Sequence, residues 1–161
     1  MKSGKARNIV KLVISLVACQ CAGLVGSIFT SPAIPIWYAA LEKPPFSPPN
    51  WLFAPAWGTL YLLMGVAAFL VWRQGFSKEG VKSALAIFLV QLVINALWSV
   101  VFFGLKSPIA GVVVIVVLWA AILFTILKFF KLSVAAGSLF IPYILWVSFA
   151  TALNIAIWML N

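Results

Sequence analysis

The sequence predicts an all-α integral membrane protein built as a bundle of five transmembrane helices. Hydrophobic residues make up 65% of the chain and charged residues 8%, and the mean hydropathy is +1.18. A soluble domain of 161 residues cannot bury that much apolar surface. The chain also contains five apolar runs, each close to the roughly 20 residues that a helix needs to cross a hydrocarbon core about 30 Å thick. We place them at about residues 12–29, 51–72, 81–104, 108–129 and 134–159, within one domain that takes up the whole chain.

The first run follows a basic segment, as the apolar part of a secretory signal peptide does. It is longer than such a part, and no small-x-small cleavage site follows it, so we expect a retained helix. Cys19 and Cys21 fall on different faces of this helix and are predicted to pack rather than to form a disulfide or bind a metal. Ala18, Ala22 and Gly26 suit either close packing inside the bundle or a dimer seam.

Residues 30–50 form a stiff loop between the first two runs. Four prolines fall within the six residues 44–49; each fixes its φ near about −65° and holds the residue before it extended. Aromatic residues flank the loop, with Trp37 and Tyr38 before it and Trp51 after it. Two interpretations remain open at this point: a lid over an apolar ligand site, or an aromatic belt with a tight turn at the membrane surface.

The later runs carry ordinary helix boundary signals. Asn50 is placed to cap the second run, Ser107 followed by Pro108 to cap the fourth, and Ser133 to cap the fifth. Only two residues separate the third run from the cap at Ser107, so the third and fourth helices are predicted to form an antiparallel hairpin.

Polar and aromatic residues recur at helical spacing inside three runs. One face of the third run either holds the bundle together by interhelical hydrogen bonds or also lines a ligand cavity; it consists of Gln91, Asn95, Trp98, Ser99 and Phe102. The second run has an aromatic stripe through Trp57 and Tyr61, a pattern more typical of a core than of a pocket. In the fifth run Pro142 predicts a kink that opens space between helices, and Trp146 lies above Ala150 on one face.

The basic residues predict the orientation of the bundle. The side that holds the N-terminus carries Lys2, Lys5, Arg7, Lys11, Arg73, Lys78, Lys82, Lys128 and Lys131, whereas only Lys43 and Lys106 fall on the other side. By the positive-inside rule the N-terminus is cytoplasmic in a bacterial-type cell membrane and the loop faces outward. The sequence pI near 10.0 therefore reflects topology and anionic lipid headgroups, and we do not expect nucleic acid as a partner.

The residue types that are missing exclude several kinds of chemistry. The chain has no histidine, which excludes histidine ligation of haem iron and a serine–histidine nucleophile, and no metal-binding spacing occurs. Its two acidic residues, Glu42 and Glu79, fall in predicted loops, so no carboxylate within a span can relay protons. Conventional hydrolases and transferases and proton-driven antiporters are therefore disfavoured, and no metal or resident cofactor is expected.

Three motifs extend along most of the chain. They are Trp37-Tyr38-x-x-Leu41-x-Lys43-Pro44-x-Phe46-x-Pro48-Pro49-x-Trp51-x-Phe53-x-x-x-Trp57-x-x-Leu60-Tyr61, then Gln91-Leu92-x-x-Asn95-x-x-Trp98-Ser99, and finally Pro142-Tyr143-x-x-Trp146-x-x-Phe149-Ala150-Thr151-x-Leu153-Asn154. Together they resemble the signature of the translocator protein family, whose members are also called tryptophan-rich sensory proteins or peripheral-type benzodiazepine receptors. The resemblance covers nearly the whole chain and is weakest in the first and fourth runs.

This resemblance implies a five-helix bundle, often a homodimer, that binds porphyrins such as protoporphyrin IX in a pocket under the first loop. Some members also bind sterols and synthetic aromatic ligands. Tryptophans would stack on the macrocycle, and Asn95 would bond one of its polar substituents. Lys43 near the mouth is a hypothetical partner for porphyrin propionates. Carried over by motif position, the pocket comprises Tyr38, Pro45, Phe46, Trp57, Asn95, Trp98, Trp146 and Ala150.

The first functional hypothesis is a membrane receptor or sensor for porphyrins that regulates tetrapyrrole or stress metabolism. The alternative is light- and oxygen-dependent porphyrin breakdown, which the resemblance implies for some relatives, with Trp57 and Trp146 as the candidate catalytic residues. A transporter is the third, although the chain has neither clear inverted repeats nor a coupling residue. Sterol binding is not expected, because residues 155–158 lack the tyrosine and basic residue of the cholesterol-recognition pattern found in animal members.

Overall fold

Five helices that are long and apolar enough to cross a membrane make up the fold. The computed structural model describes residues 2–161, and within them the first span is α1 (Lys2–Ala33), extended by a π-helical turn (Ile34–Tyr38). The others are α2 (Phe53–Trp72), after a short 3₁₀ turn (Asn50–Leu52); α3 (Val81–Ser99), extended by a π-helical turn (Val100–Gly104); α4 (Pro108–Leu132); and the pair α5 (Val134–Leu139) and α6 (Ile141–Leu160). The predicted all-α membrane bundle is thus confirmed.

The first helix extends beyond the predicted run at both ends. Helical structure continues to Ala40, so the loop predicted at residues 30–50 narrows to residues 41–49. Pro32 and Pro35 would be expected to stop an α-helix, because each lacks an N–H donor. Pro32 nevertheless lies inside α1. Pro35 lies in the wider π-helical turn, closed by a hydrogen bond from the Ala39 N–H to the Ile34 carbonyl, and the helix continues through it. The aromatic pair at its end therefore belongs to the helix and not to the loop.

Two of the three predicted helix caps are confirmed. The Ser107 hydroxyl accepts a hydrogen bond from the Ala110 N–H at 3.4 Å, and the Ser133 hydroxyl accepts one from the Ala136 N–H at 3.3 Å. The prediction for Asn50 was wrong, because Pro49 takes the N-cap position with an extended backbone and Asn50 becomes the first residue of the 3₁₀ turn.

The fifth span is broken near Pro142, as predicted. The break lies at Phe140, between α5 and α6, and leaves Pro142 in the first turn of α6, where no N–H donor is needed. The Phe140 ring fills this break: it is fully buried, and its centroid lies 5.2 Å from the Phe129 ring and 5.8 Å from the Tyr143 ring.

The order of helices around the bundle follows from their contacts. α1 packs against α2 and α3, α4 packs against α3, α5 and α6, and α2 packs against α5. The hairpin predicted between the third and fourth spans is thereby confirmed. Cys19 is buried and Cys21 is exposed, so the two thiols face different ways.

Glycines show where α1 and α2 touch and where they part. A Cβ on Gly65 would lie 2.9 Å from the Leu16 Cα, and a Cβ on Gly23 would lie 2.6 Å from a carbon of the Tyr61 ring. About two turns closer to the loop than Gly65, a Cβ on Gly58 would meet nothing within 4 Å. The two helices are therefore in close contact in the half of the bundle far from the loop and splay apart toward the loop.

The small residues of α1 divide between the bundle and its outer surface. A Cβ on Gly26 would lie 2.9 Å from the Ser99 hydroxyl oxygen, so this glycine allows α1 to approach α3. Ala18 is exposed on the outside. Close packing within the bundle thus explains Gly26, and a dimer seam on α1 remains a prediction.

Gly65→Ala is expected to destabilise the protein by about 1–3 kcal/mol, because the added methyl group overpacks against the α1 backbone. Gly58→Ala is the matched control on the same helix: its methyl group meets open space, and the better helix propensity of alanine makes the change neutral or stabilising by up to about 1 kcal/mol. Unfolding in mixed detergent micelles measures both. Equal stabilities of the two variants would contradict the close contact at Gly65.

Candidate functional site

A chain of buried hydrogen bonds joins α2, α3 and α6 in the middle of the bundle. The Tyr61 hydroxyl donates to Oδ1 of Asn95, Nδ2 of Asn95 donates to the Tyr143 hydroxyl at 2.8 Å, and that hydroxyl donates to Oε1 of Gln91 at 3.0 Å. Nε2 of Gln91 faces the Met64 sulfur at 3.7 Å. We call Tyr61, Asn95, Tyr143 and Gln91 the polar chain; all four are buried.

The polar chain fixes the relative heights of the three helices. A buried polar group without a partner costs roughly 1–3 kcal/mol, so sliding one helix past another would be penalised at several positions at once. The interhelical bonding predicted for the face of the third run is therefore confirmed. The Asn95 side chain bonds both Tyr61 and Tyr143. A bond from Asn95 to a ligand remains a prediction.

Three tryptophans lie one helical turn from the polar chain, all on the loop side. Trp57 precedes Tyr61 by four residues on α2, which descends from the loop. Trp98 follows Asn95 by three residues and Trp146 follows Tyr143 by three, both on helices that ascend toward it. The alignment of the polar chain therefore brings the three indoles to the same level of the bundle.

The rings of Trp57 and Trp98 form a wall between two cavities. Their centroids lie 6.4 Å apart with 30° between the planes. Nε1 of Trp98 donates to Oδ1 of Asn154 at 3.1 Å, and Nδ2 of Asn154 donates to the Pro108 carbonyl at 2.9 Å, which fixes this indole to α6 and α4. The Trp57 ring is held by packing, with its centroid 6.3 Å from the Tyr143 ring.

The smaller cavity lies on the loop side of the polar chain and measures about 30 Å³. Aromatic side chains fill most of the space around it: Trp37 packs edge-on against Phe102 at 5.4 Å, and Phe53 packs against Trp146 at 6.3 Å. The cavity is lined by Tyr38, Phe53, Trp57, Trp98, Phe102, Phe103, Trp146, Ala150, Leu153, Asn154 and Ile157.

The larger cavity lies on the other side of the wall and measures about 270 Å³. It extends between the splayed ends of α1 and α2 as far as α3. Sequence reasoning missed it, because no motif placed α1 at a site; the one signal was Gln20, an amide in the middle of an apolar run. Besides the wall and Asn95, its lining includes Gln20, Gly23, Leu24, Ser27, Thr30, Ser31, Asn50, Ala54, Gly58 and Ser99.

The structure brings together most, but not all, of the pocket that the resemblance implied. Around the smaller cavity lie Tyr38, Trp57, Trp98, Trp146 and Ala150. Asn95 lines the larger cavity.

Pro45 and Phe46 line neither of these two cavities, and their place in a ligand pocket remains a prediction. Both are exposed, because Pro44 is the residue that the loop turns inward. The Phe46 ring instead rests on the Phe149 ring at 6.3 Å, at the edge of the loop.

One polar atom of the smaller cavity's lining has no partner. Nε1 of Trp146 is buried, and no acceptor lies within reach of it in residues 2–161. Its neighbours are the aromatic rings of Phe53 and Phe149, at 6.3 and 5.8 Å. Buried donors normally find acceptors, so this indole N–H is an exception among the described residues.

The loop is attached to the bundle by polar contacts at its start. The Glu42 N–H donates to Oδ1 of Asn161 at 3.0 Å, and Nδ2 of Asn161 donates to the Glu42 and Ile157 carbonyls at 3.0 and 2.8 Å. Nζ of Lys43 donates to the Ala39 and Leu41 carbonyls at 3.3 and 3.1 Å and lies 5.0 Å from the centroid of the Tyr38 ring. Sequence reasoning missed Asn161, since nothing local predicts a partner 119 residues away.

Comparison with known proteins finds one matching family and several similar proteins. The model of the TspO/MBR family matches residues 15–159. The chain is 46% identical over 154 residues to the tryptophan-rich protein TspO of Archaeoglobus fulgidus, covering 96% of this chain and 99% of that protein. It is 42% identical over 148 residues to protein CrtK of Rhodobacter capsulatus (92% and 91%) and 36% identical over 136 residues to the human translocator protein (83% and 80%).

Asn95→Leu is expected to destabilise the protein by about 1–3 kcal/mol, because it leaves the Tyr61 and Tyr143 hydroxyls buried with fewer partners. Ser27→Ala serves as the control: that hydroxyl is exposed and bonds the Leu24 carbonyl of its own helix at 2.7 Å. Unfolding in mixed micelles reports both changes. If Asn95→Leu were as stable as the control, the polar chain would not hold the three helices together.

Asn161→Ala is expected to loosen the start of the loop, since it removes both bonds to Glu42. Hydrogen exchange followed by mass spectrometry should show faster exchange at the Glu42 amide and across residues 41–49, with the exchange of α3 unchanged. Met159→Ala, at an exposed side chain on the same helix, should leave loop exchange as it is. Unchanged exchange in Asn161→Ala would mean that packing alone holds the loop.

Proposed function

The chain belongs to the TspO/MBR family, and we propose that it is a membrane receptor for porphyrins and related flat, apolar aromatic ligands. The ligand binds at the smaller cavity, between α2, α3 and α6, and its occupancy regulates tetrapyrrole or stress metabolism. The names of similar proteins, among them "Tryptophan-rich sensory protein" from Cereibacter sphaeroides and "Translocator protein" from cattle, agree with a ligand-responsive membrane protein.

The observation that carries this proposal is the unpartnered indole N–H of Trp146 among aromatic walls. A buried donor without an acceptor costs about 1–3 kcal/mol, and a ligand acceptor beside it removes that cost. The propionate carboxylates of a porphyrin are acceptors of this kind. The rings of Trp57 and Trp98 offer faces on which a macrocycle can stack. One cavity thus combines the flat apolar walls and the single polar contact that such a ligand needs.

Binding requires the smaller cavity to grow. Drug-sized ligands occupy sites of about 300–1,000 Å³, far more than the 30 Å³ of this cavity. Two movements supply the space. The loop lifts when Phe46 leaves Phe149, and the Trp57 ring, which is held by packing, turns away from Trp98 and joins the two cavities. Lys43, at the base of the loop, is then available to the carboxylates of the ligand.

Porphyrin breakdown under light and oxygen is the second candidate function. The observation that favours it is that Trp57 and Trp146 border the same small cavity from opposite helices. A porphyrin bound there contacts both electron-rich indoles at once. The spans bring no carboxylate or histidine to the site, so no conventional acid or base is present there. Trp57 and Trp146 are the proposed redox side chains among the indoles and the phenol that line the cavity.

We also propose that the N-terminus is cytoplasmic in a bacterial-type cell membrane, and that the protein acts as a homodimer. The orientation is supported by the basic residues at the ends of the helices, nine on the side of the N-terminus and two on the loop side. The dimer is supported by the family resemblance and by the largely exposed outer face of α1.

Trp146→Phe is expected to weaken protoporphyrin IX binding about tenfold, the equivalent of about 1.4 kcal/mol, because phenylalanine keeps an aromatic ring but removes the donor. Titration of the detergent-solubilised protein in the dark, followed by tryptophan quenching, measures the affinity. Trp158→Phe is the matched control, since its indole lies exposed on the same helix. Equal affinities of the two variants would contradict the proposed contact at Trp146.

The same samples under illumination separate the two candidate functions. For a receptor, the absorbance spectrum of bound protoporphyrin changes no faster with wild-type protein than with Trp57→Phe/Trp146→Phe. For a catalyst, wild type yields a product that absorbs at new wavelengths and the double variant does not. A wild-type protein that shows no saturable binding would rule out both functions.

A further inference from the structure

Three lysines lie close together in the chain fold at the end of the α3–α4 hairpin that faces away from the proline-rich loop. Lys82 belongs to the first turn of α3, and Lys128 and Lys131 belong to the last two turns of α4. All three side chains are exposed. On this side of the bundle nine basic residues stand against one acidic residue, Glu79. Most of the positive charge there is therefore not neutralised by the chain itself. We call Lys82, Lys128 and Lys131 the basic cluster.

Lys128 joins the two helices of the hairpin. Its Nζ donates to the Ser83 hydroxyl at 3.3 Å, and that hydroxyl donates to the Gly80 carbonyl at 3.1 Å. The ammonium group is thereby held beside the first turn of α3. An ammonium group has three donors, and Ser83 accepts only one hydrogen bond from it. Lys128 thus has donors left for an acceptor from outside the chain.

The segment before α3 fixes this end of the hairpin. Nε2 of Gln74 donates to the Leu132 carbonyl at 3.1 Å, which attaches the segment to the last residue of α4. Nζ of Lys78 donates to Oε1 of Gln74 at 2.6 Å, so this lysine is engaged within the segment and is not part of the cluster. The backbone that carries the basic cluster is therefore held by contacts from both helices.

An apolar groove continues from the basic cluster along the outside of the hairpin. Val90 lies seven residues, or two helical turns, after Ser83 on α3. On α4, Phe124 lies four residues before Lys128, and Val117 lies seven residues before Phe124. The three apolar side chains are 51%, 59% and 51% exposed. Because α3 and α4 pack together and are both long enough to span a membrane, this groove faces hydrocarbon.

We propose that the basic cluster and this groove together bind an anionic phospholipid. The phosphate accepts hydrogen bonds from Lys128 and pairs with the charges of Lys82 and Lys131, and one acyl chain lies in the groove between Val90 and Phe124. Charge and apolar surface follow each other here in the same order as in a lipid. A zwitterionic lipid binds more weakly, because its own cation adds to the positive charge of the cluster.

A second copy of the protein fits this surface less well than a lipid does. In a symmetric dimer that used the groove, the same patch of both subunits would meet, with both basic clusters at the same level of the membrane. Like charges would then oppose each other across the interface. The proposal does not depend on the porphyrin site, which lies at the other end of the bundle.

The test uses the full-length protein in nanodiscs made of phosphatidylcholine and phosphatidylglycerol. Native mass spectrometry after release from the discs counts the lipids of each class that stay bound. We expect wild type to retain phosphatidylglycerol in preference to phosphatidylcholine. Lys128→Gln/Lys131→Gln should lower that preference about twentyfold, because each basic residue near an anionic headgroup contributes about fivefold in affinity.

Lys5→Gln/Arg7→Gln is the matched control for charge. It removes two exposed charges from α1, on the same side of the bundle, and should change the preference by less than about twofold. If this control lost as much preference as the lysine variant, only the total charge would matter and the proposal would be overturned. Displacement of phosphatidylglycerol by inorganic phosphate would also overturn it, because the ligand would then be a free anion.

Val90→Trp tests the groove. The indole fills the space beside Phe124 and should release the retained phosphatidylglycerol, whereas Val25→Trp, at an exposed valine of α1, should not. Retention that is unchanged in Val90→Trp would contradict the place of the acyl chain. A wild-type dimer without bound lipid that Val90→Trp converts to monomer would assign the groove to a second copy and overturn the proposal.

Discussion

The structure depends on one requirement, that polar groups buried in an apolar bundle find partners. The polar chain meets it by linking amides of α3 to tyrosines of α2 and α6. In lipid, helices associate through van der Waals packing and interhelical hydrogen bonds, without a hydrophobic force between them. The hydrogen bonds join specific atoms and so help to fix the heights of the helices. The tryptophans one turn away gain their common level from it, so the geometry of the candidate site follows from the bonds beneath it.

Hydropathy was enough to predict the class and the five spans. In lipid each helix must satisfy its own backbone hydrogen bonds, so every span is one continuous apolar run that the sequence shows directly. Local chemistry was enough for the caps at Ser107 and Ser133 and for the break near Pro142. The rule that proline ends a helix failed at the end of the first span. Pro35 should have ended the first helix, but a widened turn let it continue, and the loop became shorter as a result.

Periodicity identified the polar face of α3 but not the partners of its amides, which depend on how neighbouring helices are rotated. The family motifs selected the side chains around the smaller cavity, yet they could not indicate that the indole wall divides the interior in two. Gly58 lines the larger cavity, and the open space beside it is visible only once the position of α1 is known. Asn161 escaped prediction for a similar reason, since its partner Glu42 is distant in sequence.

The wall of Trp57 and Trp98 belongs to both cavities, and this has a thermodynamic consequence. A guest on one side that holds the Trp57 ring in place, or pushes it aside, changes the room available on the other. Such coupling is reciprocal: whatever factor one guest imposes on the affinity of the second, the second imposes on the first. One movable indole thus suffices to link the volumes of the two cavities.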